Sequence, residues 1–342
     1  MKIVFIGLIL VFLISEDALP GQQEIQASDV IELLKARNCS GASQMLPNVD
    51  ELNYRDKAGG TMLMYSSVNG CFDAAKWLLE KGAKHDLKSN EGFTALHMAS
   101  RNGHSEIAEL LLKNGAKADE LNNNNTTALY MASQQGHTRI MEMLIENGAK
   151  IDFLSNGEFS ALFIASQYGK VEAVNLLIDK GAVIDQPSLR GATALFVASS
   201  AGKTEVIKIL LDHGAKIETR TRRGATPLFV AAQNGFPETV KLLLDRGADI
   251  RMRTNDGLTP LLTASIRGHY EVVKILLENN SEVDHQTDQG ATALMIASAN
   301  GHTQIVKLLL EKGADKNLRN QTGKTAADVA SNEEIKALLQ SQ

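Results

Sequence analysis

The chain has 342 residues, the length of about two globular domains of ordinary size. Its 44% apolar and 22% charged residues exclude a wholly disordered, collagen-like or multi-span membrane chain, and 5% aromatics beside abundant Leu and Ala favour close-packed helices over a sheet-rich sandwich. Lys+Arg 35 against Asp+Glu 40 gives a formal charge of −5, which offers no overall attraction to nucleic acid or anionic membrane. Two cysteines, Cys39 and Cys71, are too few for a disulfide scaffold or a four-thiolate zinc site.

Residues 1–22 read as a targeting segment. Lys2 supplies a short positive region, and Ile3–Ile14 is an uncharged apolar run of twelve residues. That length suits the core of a secretory signal peptide and falls short of the ~20 residues that span a bilayer as a helix. Cleavage is expected between Ala18 and Gly21, with secretion or the secretory pathway as the destination. The alternatives are an uncleaved membrane anchor, or a buried first helix in a cytoplasmic protein.

Residues 23–60 keep apolar positions at Val30, Leu33, Met45 and Leu46, with Arg37 where later units have glycine. They read as a degenerate capping unit. From Thr61 onward, Thr61, Thr94, Thr127, Ser160, Thr193, Thr226, Thr259, Thr292 and Thr325 recur at intervals of 33. In the same register Leu96, Leu129 and Leu162 follow two residues later, Ala99, Ala132 and Ala165 three after that, and Gly103, Gly136 and Gly169 four further on.

Each slot has a physical reason. The Thr hydroxyl caps a helix amino terminus, Pro or Ala suits its first turn, small Ala permits close approach, and Gly ends the helix in a left-handed conformation. A second apolar stripe, as in Ile107, Leu110 and Leu111, predicts a second helix, closed by Gly115 and its equivalents or once by Asn280. An extended hairpin should follow, with Gly92, Gly191, Gly224, Gly257 and Gly290 at its tip, Asn125 in the same slot, and the third hairpin's glycine shifted to Gly157. Residues 61–324 therefore hold eight units of 33, and 325–342 a truncated carboxy-terminal cap.

This T-x-L-x-x-A, G, L-L, G-A pattern resembles the ankyrin repeat from about Ser28 to Gln342, with Thr94-Ala-Leu-His97 nearest the family's T-P-L-H. The resemblance implies an all-α solenoid of stacked helix-turn-helix units with short β-hairpin turns. It implies a scaffold that binds a protein partner. With no Ser-His-Asp, HExxH or GxGxxG arrangement and a formal charge of −5, the expectation is a non-enzymatic, cofactor-free monomer that binds neither nucleic acid nor membrane beyond the targeting segment. Exported members of the family include host-directed effectors and the repeat arms of toxins, so an effector- or venom-like role belongs to the same expectation; the alternative is an intracellular adaptor with an uncleaved amino-terminal anchor.

Apparent chemical motifs dissolve on inspection. Gly202-Lys203-Thr204 and Gly323-Lys324-Thr325 resemble the end of a phosphate loop, but Val197 and Leu318 stand where its first glycine belongs. His104, His137, His269 and His302 recur in one slot, and packed helices hold neighbours ~8–10 Å apart, too far to share a metal without leaning together. They read as turn-capping residues. Trp77 occupies a slot held by Leu110 and Leu176 elsewhere and reads as core.

Positions not committed to packing fall on hairpin tips and the end of the first helix, where the family resemblance places a concave binding surface. They include Phe93, Arg101, Asn102, Gln134, Gln135, Phe159, Gln167, Tyr168, Arg190, Arg222, Arg223, Gln233, Asn234, Leu258 and Arg267, with Asn90 and Asn255 beside them. Aromatic and Arg side chains carry interface energy, which makes Phe93, Phe159, Tyr168, Arg190, Arg222 and Arg223 its expected centre. Against this, Phe93 and Phe159 also suit packing against neighbouring hairpins.

An exported chain would make Asn38, Asn124, Asn125, Asn279 and Asn320 glycosylation candidates, with Asn279 foremost because its slot is polar in every unit. Export would also permit a Cys39–Cys71 disulfide. Stacking alone would hold the pair ~8–10 Å apart against the ~4.4–6.8 Å a disulfide needs, and two separately packed thiols are the alternative.

Overall fold

A hydroxyl cap, threonine in every full unit but one and Ser160 in that one, starts each inner helix. In the computed structural model, which describes residues 25–49, 51–156 and 158–340, the Thr61 hydroxyl accepts from the Met64 N–H at 3.2 Å and the Thr226 hydroxyl from the Phe229 N–H at 3.2 Å. The inner helices are Met62–Asn69, Ala95–Asn102, Ala128–Gln135, Ala161–Gln167, Ala194–Ser200, Pro227–Asn234, Pro260–Arg267 and Ala293–Ala299. Each is paired with an outer helix: Phe72–Glu80, Ser105–Lys113, Thr138–Glu146, Val171–Asp179, Thr204–Asp212, Pro237–Asp245, Tyr270–Glu278 and Thr303–Glu311.

Left-handed backbone joins these pieces. Gly70 and Gly103 end inner helices at φ 73° and 81°, and Asn280 (φ 61°) replaces glycine after an outer helix. Arg37 adopts φ 60° in the cap, so the turn persists there without glycine. Among the described residues there is no strand. The hairpins are tight turns, with Ser89 N–H donating to the Phe93 carbonyl at 2.9 Å, and one isolated bridge pairs Ser155 with Phe159. Gly157, the shifted hairpin glycine, lies outside the described residues, as does the 1–22 segment.

Successive inner helices pack on one another, and so do successive outer helices. The inner helices pack the more extensively, and the side that carries them and the hairpins is the one that the repeat resemblance makes concave. Between the layers runs one continuous core in which Leu63, Leu96, Leu129 and Ala99 are essentially inaccessible. Trp77, expected in that core, is only half-buried on an outer helix, with the Lys81 ammonium 5.8 Å from its ring centroid.

The ends differ from the middle. Helices Ala27–Lys35 and Cys39–Met45 form the amino-terminal cap. There Asp56 accepts from the Tyr65 hydroxyl at 2.7 Å and pairs with the Lys35 ammonium at 2.9 Å, tying cap to first unit. Burial works against that carboxylate's charge, but Lys35, Tyr65 and the Gly60 N–H outweigh it and hold its pKa at about 2. Cys39 and Cys71 are bonded, with Cα atoms 5.1 Å apart. Both lie at amino-terminal ends of outer helices, where the backbone is free of the interaxial spacing that made the pair look too distant. At the other end Thr325 caps a turn instead of a helix, its hydroxyl donating to Asp328 at 2.8 Å, and helix Glu333–Gln340 closes the stack.

Candidate functional site

Concave-face side chains are displayed by a backbone ladder that links hairpin to hairpin. The N–H groups of Asn90, Asn123, Arg222, Asn255 and Gln321 donate to the carbonyls of Ala58, Glu91, Arg190, Arg223 and Gln289, at 2.9–3.1 Å. Asn90, Asn123 and Asn255 add a side-chain bond to the unit before, at 2.9, 2.9 and 3.0 Å. Asn90 and Asn255, expected to face a partner, therefore have their amides committed to the stack. In most turns one side chain holds the loop: Asp56, Asn122 and Asn320 accept two backbone N–H groups apiece, and Thr221, Thr254 and Thr287 accept one, whereas the Ser155 hydroxyl makes no such bond.

The anticipated surface residues divide into two groups. Arg101, Asn102, Gln135, Gln167, Tyr168, Arg190, Arg222, Arg223, Asn234 and Arg267 are exposed, whereas Phe93, Gln134, Phe159, Gln233 and Leu258 are half-buried. Two of the exposed amides are already engaged. Asn102 donates to the Met98 carbonyl at 2.8 Å, and Asn234 reaches the Ser200 carbonyl of the preceding unit at 2.8 Å. Tyr168 stands 50% exposed, and burial first and Tyr168 second push the hydroxyl of Tyr130 upward.

The phenylalanines do part of what each reading expected. Phe93 meets the His97 ring edge-on, 6.1 Å between centroids, and also lines an apolar groove of about 370 Å³ with Tyr65, Met64, Val68 and Met98. Phe159 packs on Phe163 at 4.8 Å within a small apolar cluster completed by Ala192, Phe196 and Val197. Tyr65 and Met98 were not legible as surface residues because their slot holds Val197, Val230 and Ile296 in other units; the size variation within that slot is the signal that marks it.

The histidine row binds no neighbouring histidine. His104, His269 and His302 instead place Nε2 3.0, 3.1 and 3.3 Å from the Val68, Gln233 and Ile266 carbonyls of preceding units. His97 is different. Its Nδ1 accepts from the Thr94 N–H at 3.2 Å and its Nε2 lies 3.2 Å from the Thr126 carbonyl, so the ring is a neutral bridge between units. Burial pushes its pKa down to about 4.

Of the sequons, Asn38, Asn124, Asn125 and Asn279 are exposed and Asn320 is half-buried. Asn38 accepts from the Gly41 N–H as a helix cap, and Asn279 donates to the Ile275 carbonyl at 2.9 Å. Among the described residues no helix is long and apolar enough to cross a membrane.

Repeated helix pairs stacked at a period of 33, with hairpins linked edge to edge, define a protein of the solenoid class. More particularly, the family profile described as Ankyrin repeats (3 copies) matches in overlapping segments from 26–121 through 261–341, and the chain belongs to the ankyrin repeat family. Among solved structures it is similar to the human ASB11 ankyrin repeat domain, at 28% identity and a TM-score of 0.59, over 64% of this chain and 99% of that one. No curated protein matches. The fold is an interaction scaffold for protein partners.

Proposed function

We propose that this chain is an exported binding protein that grips a protein partner along its concave face. The observation that carries the reading is the hairpin ladder, which among the described residues joins most neighbouring hairpins by backbone hydrogen bonds. It commits backbone and amide groups to the stack while leaving Gln135, Gln167, Tyr168 and the arginine tips exposed along one continuous surface. Such a surface binds through side chains that are already positioned, which lowers the ordering entropy lost on association.

Affinity capture from culture medium and from lysate tests the face. A partner held by the wild type and by the convex-face variant Lys241→Glu, but lost from Gln135→Ala/Tyr168→Ala, supports it. A partner indifferent to the concave pair and lost with Lys241→Glu overturns it.

Export rests on the layout of residues 1–22, and the Cys39–Cys71 bond suits an oxidising compartment. Sequencing the amino terminus of protein expressed in a eukaryotic host should give a start between residues 19 and 22; intact Met1 overturns cleavage. The exposed Asn279 should carry a glycan there, and a mass unchanged by glycosidase removes that assignment for it and the other sequons.

A further inference from the structure

We propose that the middle of the concave face recognises an acidic peptide segment bearing one apolar anchor residue, gripped between the arginine tips Arg190, Arg222 and Arg223. The inference rests on the concave-face reading above and names the chemistry of the partner.

Charge is the first observation. The guanidinium groups of Arg190, Arg222 and Arg223 form no hydrogen bond or ion pair within the described residues, although Glu158 and Asp256 occupy the flanking hairpins. Several arginines of the stack are, by contrast, already engaged. Arg220 donates to the Arg253 carbonyl at 2.8 Å, while on the outer side Arg246 pairs with Asp212 at 2.8 Å and Arg139 with Glu109 at 3.4 Å. What distinguishes these three is that they stand together on two hydrogen-bonded hairpins of a chain of net charge −5, and such a group complements carboxylates, which the guanidinium fork binds bidentately.

Rigidity is the second. The Arg222 N–H donates to the Arg190 carbonyl at 2.9 Å, and the carbonyls of both Arg222 and Arg223 are held by Asn255, at 3.0 and 2.9 Å. The three tips are thus pinned at their backbones while their side chains extend free. Recognition then orders side chains but no loop.

Shape supplies the anchor. At the base of the hairpins one slot runs Phe93, Thr126, Phe159, Ala192, Ala225, Leu258, so bulk steps down at the two units that carry the arginines and rises again at Leu258. At that step Ala192 belongs with Val197 to the small apolar cluster against which half-buried Phe196 packs, and this cluster is the floor. An apolar side chain seated there would contact this floor while flanking carboxylates reach the tips.

The test selects binders from a random 12-residue peptide phage library on the full chain, then measures synthetic versions of the winners by fluorescence anisotropy. Acidic sequences with one aromatic or aliphatic residue should dominate. Their affinity should fall at least about tenfold in Arg190→Glu/Arg222→Glu/Arg223→Glu, and fall on raising salt from 0.15 to 0.5 M. An Arg→Lys version of the triple variant should retain part of the binding, which separates charge from folding damage.

Winners that are neutral or basic, acidic winners unaffected by charge reversal, or no enrichment of acidic sequences would each overturn the proposal. If such winners are still lost from Gln135→Ala/Tyr168→Ala, the concave-face reading stands without it; winners indifferent to every concave substitution sink both. Capture of a single-stranded oligonucleotide that the triple variant abolishes would overturn the assignment to a peptide.

Discussion

The imidazole of His104 lies over Gly70 of the preceding unit, so close that a Cβ on Gly70 would sit 2.6 Å from its Cε1. The same stacking relates His137 to Gly103, His269 to Gly235 and His302 to Gly268. Glycine is required there twice over, for its positive φ and for the space the ring fills, and the ring's Nε2 closes the junction on a backbone carbonyl. A row that looks like metal ligands in the sequence is a row of inter-unit fasteners.

Gly103→Ala and Gly148→Ala should therefore differ. Both residues have left-handed backbones, φ 81° and 86°, but a Cβ on Gly148 meets nothing within 4 Å whereas one on Gly103 meets His137 at 2.6 Å. Gly148→Ala should lose about 1 kcal/mol from backbone strain alone, and Gly103→Ala roughly 2–4 kcal/mol. Urea unfolding midpoints measure the difference; equal losses would show that the ring moves aside freely.

His97 should make stability depend on pH. Its folded pKa, about 4, lies below the ordinary 6.5, so the unfolded chain binds the extra proton first as pH falls. The contribution is complete above about pH 6.5, and is lost as pH drops through the interval down to about 4, on the order of 3 kcal/mol in all. His97→Leu, which adopts the residue of the equivalent Leu262, should flatten that part of the profile in urea melts at pH 7 and 4.5. An unchanged slope would place the pH dependence elsewhere.

Reducing the Cys39–Cys71 bond should loosen the cap selectively. It closes a separation of 32 residues, for which chain entropy gives about 3–4 kcal/mol. A thiol assay on denatured, unreduced protein should find no free thiol. In Cys39→Ser/Cys71→Ser, faster amide exchange should be confined to residues 27–49 and the first full unit; two free thiols in the wild type would contradict the bond.

Asp56 offers a graded pair of substitutions. Asp56→Asn keeps an acceptor for the Ala58 and Gly60 N–H groups, as Asn122 does in its own hairpin, and loses the Lys35 charge, for a cost below about 1 kcal/mol. Asp56→Ala strands both N–H groups and should cost roughly 2–3 kcal/mol. With its folded pKa held near 2, the wild-type contribution is present above about pH 4 and disappears as pH falls toward 2. Thermal melts of the three proteins at pH 7 and 3 measure both effects.

The sequence alone determined everything that one unit dictates to itself. The period of 33, the Thr61-type caps, the helix pair and the left-handed slots depend on residues within a turn or two of one another, so local propensity and spacing suffice to read them, down to Asn280 in place of glycine. Contacts between units depend on the rise and rotation of the stack, which no single unit encodes. Only the tertiary structure decided that His104 covers Gly70, that Asn90 and Asn255 serve the ladder while Arg222 keeps its side chain free, that Phe159 folds onto Phe163, and that Cys39 and Cys71 come within bonding reach. Except for Phe159 on Phe163, which meet within one unit, these are residues about 33 apart that meet, or miss, by a few ångströms set by how one helix pair settles on the next, and that geometry leaves no mark in the spacing of the residues.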